Sequence, residues 1–172
     1  MKVCFIGHRT IENIEQIRKQ ITETVYQLIQ SHANTFLFGS KSQFDSLCWE
    51  IITEFQKQYK TIKRIYVRAT YPTIQKYYED YLLKCYEETY FPKGMENAGR
   101  CSYIKRNQKM IDASDVCVFY YDSEYKLPPK RQKSYSALPN RERKSGTALA
   151  FAYATQKNKK IINLYQGKNR DS

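Results

Sequence analysis

Five short apolar runs recur along this chain, and most of the stretches between them carry hydrophobic residues at helical spacing. The runs cover residues 2–6, 35–38, 62–68, 116–121 and 160–165. Each is too short for a helix and shows little alternation, as expected of strands covered on both faces. Ile14, Ile17, Ile21, Val25 and Leu28 mark a long amphipathic helix running to about residue 31, with Thr10 as its N-cap. Phe44, Leu47, Cys48, Ile51, Ile52 and Phe55 mark a second, starting near Ser42. A helix over 101–113 turns Ile104, Met110 and Ile111 inward, and 148–157 forms the last. Strands and helices alternating at these intervals build βαβ units. The expectation is an α/β domain with a parallel sheet of about five strands, flanked by helices on both faces.

Residues 71–92 are harder to read. Six tyrosines and mixed charges give no clean period, and a short helix over 74–86 is expected, its tyrosines packed against the sheet rather than forming an oligomer surface or stacking platform. Residues 93–99 read as a loop. Residues 122–143 read as a long basic loop broken by Pro128, Pro129 and Pro139, of the kind that serves function in compact domains. A chain of 172 residues has room for one core. We therefore expect a single domain over 1–165 and a tail over 166–172.

Charge and thiol content narrow the partners. Lys+Arg 29 against Asp+Glu 17 leaves a formal net charge of +12, which favours an anionic partner. Five cysteines form no CxxC pair, and only His8 and His32 are present, so neither disulfides nor a zinc site is expected, and no cofactor is implied. The first apolar run is too short for a signal peptide, and no run could span a membrane, so a cytoplasmic location is expected.

Three polar turns follow strands. They are Gly7-His8-Arg9, Gly39-Ser40-Lys41 and Lys144-Ser145-Gly146-Thr147, the last opening a helix. In an open parallel sheet such turns converge at one edge, where ligands bind. The convergent donors are His8, Arg9, Ser40, Lys41, Arg68, Lys144, Ser145 and Thr147, with Asp45 as the main carboxylate. That set suits a phosphate-bearing ligand. No Walker sequence, spaced GxGxxG or Ser/His/Asp order accompanies it.

Gly7-His8-Arg9, Phe38-Gly39-Ser40 with Phe44-Asp45, Tyr103 to Asn107, and Lys144-Ser145-Gly146-Thr147 together resemble the SLOG superfamily. That group joins DNA-processing Smf-like proteins, LOG-type phosphoribohydrolases and nucleotide-sensing domains of bacterial defence proteins. The closest likeness is to small stand-alone SLOG proteins of bacteria and phages. The resemblance implies a Rossmann-like domain, often dimeric or higher, that binds nucleotides or their derivatives. LOG-type enzymes resemble Pro-Gly-Gly-x-Gly-Thr-x-x-Glu, with an arginine on the preceding helix. Here Arg106 matches the arginine and Gly146-Thr147 the Gly-Thr, while the glutamate position falls on Ala150. N-glycoside cleavage needs a carboxylate, and Asp45 or Glu142 stands at the wrong spacing.

The leading expectation is therefore non-catalytic binding, sensing or sequestering, of a nucleotide-derived molecule such as an ADP-ribose-type or cyclic nucleotide signal. Gly7, Gly39, Ser40, Ser145, Gly146 and Thr147 line the phosphate site, with charge from Arg9, Arg68, Arg106 and Lys144. Asp45 accepts from a ribose hydroxyl, and His8, Phe38 and Phe44 are candidates for base or ribose contact. The alternative is a LOG-like phosphoribohydrolase using Arg106 and Asp45. A further alternative is single-stranded nucleic-acid binding through the aromatic and basic residues at 59–66 and 120–135.

Overall fold

A computed structural model gives the fold, and the structure describes residues 1–126 and 144–167. Six strands form one parallel sheet: β1 (Lys2–Gly7), β2 (Thr35–Phe38), β3 (Lys63–Val67), β4 (Glu88–Tyr90), β5 (Val116–Tyr120) and β6 (Lys160–Asn163). Their order is β4-β3-β2-β1-β5-β6. The chain steps outward from β1 to β4, then crosses back to the far side of β1. This is a Rossmann-like α/β fold, with its topological switch between β1 and β5.

The helices are α1 (Ile14–Gln30), α2 (Gln43–Gln58), α3 (Lys76–Leu83), α4 (Ser102–Ala113) and α5 (Gly146–Gln156). Strand parity divides the core. Val3, Phe5, Phe36, Phe38, Val116 and Val118 meet α1 and α2 on one face. Cys4, Ile6, Leu37, Val67, Cys117 and Phe119 meet α4 and α5 on the other. Both faces are buried, which is why the strands read as unbroken apolar runs. No helix among the described residues is long and apolar enough to cross a membrane.

Several expectations need correcting. There are six strands rather than about five: β4 is a three-residue edge strand paired only to β3. Its Glu-Thr-Tyr carries no apolar run. It is held beside β3 by Arg64, which bonds Glu87 through its backbone N–H at 2.6 Å, Nε at 3.2 Å and Nη2 at 2.6 Å. The helix beside it spans Lys76–Leu83, shorter at both ends than expected. Tyr86 packs against Phe38, Trp49 and Tyr66, but Tyr71, Tyr77 and Tyr81 are exposed rather than laid on the sheet.

The first helix begins at Ile14 and not after Thr10, with Asn13 left-handed at φ 51° ahead of it. Other bonds claim the residues between. The Ile11 N–H donates to Gln43 Oε1 at 3.0 Å, the Glu12 N–H donates to the Tyr120 hydroxyl at 3.1 Å, and the Ile11 side chain is buried in the core. Ile14, expected inward, is consequently exposed. Ile104 is also only half-buried, because α4 turns Ser102 and Arg106 inward beside Met110 and Ile111, which face the core as expected. The expected loop falls largely on 127–143 and the tail largely on 168–172, outside the described residues.

Candidate functional site

A cleft of about 1580 Å³ runs along the carboxyl edge of the sheet. The first two turns are tied together there: the Gln43 N–H donates to the Arg9 carbonyl at 2.9 Å while Gln43 Oε1 receives the Ile11 N–H. The third turn, at the start of α5, also reaches the cleft with Ser145, Gly146 and Thr147.

Arg106 forms its floor. It sits in the inward row of α4 between Ser102 and Met110, and is only 2% exposed. Its Nη1 donates to the Val67 carbonyl at 3.3 Å and its Nε to Asn107 Oδ1 at 3.0 Å. Among the described residues, Nη2 has no hydrogen-bond partner. Gly39 makes this seat possible, since a Cβ there would fall 2.5 Å from Arg106 Nη1. Burial pulls the guanidinium's pKa down, and the nearby Asp45 charge opposes that.

Asp45 is buried and faces the turn after β2. Its Oδ2 accepts the Ser40 N–H at 2.7 Å and the Gly39 N–H at 3.4 Å, while Oδ1 has no partner. Burial raises its pKa, against the Ser40 hydrogen bonds and the Arg106 charge. The amides of Gly39 and Ser40 thus serve a protein carboxylate. Ser42 caps α2, accepting the Asp45 N–H at 3.0 Å, and its N–H and hydroxyl both meet the Ser40 hydroxyl.

His8 lines the cleft and is buried. Its Nε2 lies 3.0 Å from the Asp122 N–H and 3.2 Å from the Asp122 carbonyl, accepting from the first or donating to the second according to tautomer, and its ring stacks on Tyr125 at 3.9 Å and 14°. Burial lowers its pKa, against the Asp122 backbone contact and charge, and favours the neutral ring. His8 therefore anchors the segment leaving β5. Arg68 is half-buried; Nη1 donates to the carbonyls of Tyr71 and Pro72 at 3.0 and 3.4 Å, and its buried Nε has no partner. Arg9 and Lys41 line the cleft and are exposed; Lys144 is exposed just ahead of α5.

Ser145 caps α5 by accepting the Ala148 N–H at 3.0 Å, so its hydroxyl is engaged within the helix. Gly146 faces open space, and Thr147 is buried. Phe38 and Phe44 are fully buried beside Phe5 and do not reach the cleft. Gly7 lines the cleft, but its missing Cβ also makes room for the Phe44 ring. Ala150 is buried in the core cluster that contains Met110. Glu142 and most of 120–135 lie outside the described residues. Of the 59–66 aromatics, Tyr59 packs beside Phe55 while Tyr66 lines the cleft, so the two form no shared platform.

Sequence reasoning left several lining residues out of the nucleotide site, although Tyr103 and Asn107 stand in the motif that carries the resemblance and Tyr66 and Tyr125 in the two aromatic, basic stretches. Tyr66, Tyr78, Tyr103, Asn107 and Tyr125 all reach the cleft. Tyr103 was legible in principle: it stands one helical turn before Arg106, whose guanidinium lies 5.8 Å from its ring centre. Among the described residues that line the cleft there is no aspartate or glutamate, whereas Arg9, Lys41, Arg68 and Arg106 all do so.

A sequence profile described as the YspA SLOG family matches residues 5–152. The match covers most of the chain, including all three turns and Arg106. The chain belongs to this family. Among curated proteins, none matches it.

Proposed function

We propose that this SLOG-family protein binds a phosphate-bearing, nucleotide-derived small molecule and leaves it intact. Family membership supports the nucleotide-related ligand. The observation that carries binding over cleavage is the make-up of the cleft, with four cationic side chains and no carboxylate among its described lining residues. Cleaving an N-glycosidic bond requires a group that stabilises the ribosyl cation or takes a proton from water, and carboxylates ordinarily fill that role. Asp45 is committed to the Gly39 and Ser40 amides, and Ala150 presents only a buried methyl.

Each part has a binding role. Arg106 is held in place before a ligand arrives, so little side-chain entropy is lost when an anion meets Nη2. The first amides of α5 form a second anion site, where the helix dipole favours negative charge and the open space at Gly146 permits close approach. Arg9 and Lys41 on the cleft wall, and exposed Lys144 just ahead of α5, steer anions toward it.

Incubation with AMP, NAD and cyclic ADP-ribose isomers tests this reading, with each compound followed by chromatography before and after heat-denaturing the protein. The expected result is depletion from solution followed by intact recovery. Release of free base, lost in Arg106→Ala, would establish the phosphoribohydrolase instead. No depletion of any compound would discard the nucleotide reading.

A further inference from the structure

We infer that the cleft takes a ligand with two bases joined through phosphate, a dinucleotide rather than a mononucleotide; this rests on the nucleotide-binding reading above. Three observations carry it. The cleft, at about 1580 Å³, exceeds the roughly 300–1000 Å³ common for a site that encloses one small molecule. Its tyrosines fall into two groups on different elements. At the β5 end stands Tyr125, whose ring is backed by His8 at 3.9 Å. At the β3 end stand Tyr66 on the strand, Tyr78 on α3 and Tyr103 on α4.

The strand order places the cation between them. Reading across the sheet from β3 to β1, whose next residue His8 backs Tyr125, passes β2, two interstrand steps or roughly 10 Å. Arg106 lies under Gly39, at the end of β2, within that span. A mononucleotide whose phosphate meets Arg106 can stack its base at one end and leaves the other empty. Two bases linked by phosphate occupy both. Tyrosine rings stack on bases with little sequence preference, so this arrangement selects for the number of bases more than their identity.

The test compares probes that share one half. ADP-ribose and diadenosine diphosphate both carry adenosine and a pyrophosphate, and only the second has a base at its far end; cyclic di-AMP offers two bases on a cyclic linkage. Titration calorimetry on the full chain is expected to give at least tenfold tighter binding of a two-base probe than of ADP-ribose. Whichever of the two binds better identifies the linkage. Tyr125→Ala and Tyr78→Ala, at opposite ends, are each expected to remove most of that advantage while leaving ADP-ribose binding within about threefold in at least one of them. Equal affinity for ADP-ribose and both two-base probes would overturn the inference and leave nucleotide binding standing. Failure of all three probes and of AMP would remove both.

Discussion

Gly39→Ala probes the packing on which the site depends. The added methyl would sit 2.5 Å from Arg106 Nη1 and 2.7 Å from both Arg106 Cζ and Met110 Sδ. Neither neighbour can swing into water freely, since both are buried and Arg106 is bound to Val67 and Asn107. Overpacking of this kind costs about 1–3 kcal/mol. We expect about 2 kcal/mol, which for a chain of this size lowers Tm by roughly 4–8 °C. The Arg106→Ala background separates the causes. With the guanidinium gone, only the thioether remains in the way, and methionine yields easily. There the same substitution should cost less than about 1 kcal/mol, a coupling of at least about 1 kcal/mol between the two positions. Urea unfolding read by Trp49, the chain's one tryptophan, supplies the measurement; its ring lies 5.3 Å from the Arg64 guanidinium and packs on Tyr86. An equal cost in both backgrounds would refute the claim that Gly39 exists to seat Arg106.

Three further outcomes are expected. Burial holds the His8 pKa below its ordinary value of 6.5, so the unfolded chain takes up a proton first as pH falls. Stability should drop below about pH 6.5, with a slope of at most about 1.4 kcal/mol per pH unit from this group, and His8→Gln should flatten the profile there. Gly146→Glu places an anion at the start of α5, where it meets no steric obstacle. Thermal stability should hold or rise slightly while nucleotide affinity falls at least tenfold, which calorimetry can check. Glu87→Gln removes the anion from the Arg64 clamp; Glu87 is 34% exposed, which moderates the loss, and denaturation should register about 1–3 kcal/mol.

The sheet was legible because buried parallel strands leave continuous apolar runs. β4 was not, because an edge strand of three residues leaves no such trace and its place depends on a bond from Arg64. The start of α1 was misplaced because Ile11 and Glu12 answer to Gln43 and Tyr120, distant in sequence. For the site, glycine after a strand and a serine ahead of a helix were enough to locate the turns. Which partners their amides take was invisible: Asp45 caps the Gly39 turn from within α2. The stripe Ser102, Arg106, Met110 carried a readable signal. At a spacing of four, it sets a cation in a row that faces the core, which calls for a special reason.

The bond from Arg106 to Val67 spans 39 residues of chain, and that from Asp122 to His8 spans 114. During synthesis, β1 to β4 emerge before α4 can supply a floor or β5 can deliver Tyr125. Contacts of such separation form after the local ones, because a long loop must first close. The cleft is therefore a product of the last stages of folding. The ligand binding proposed above would then require the whole domain, and a chain that stops short of β5 is expected to retain no nucleotide.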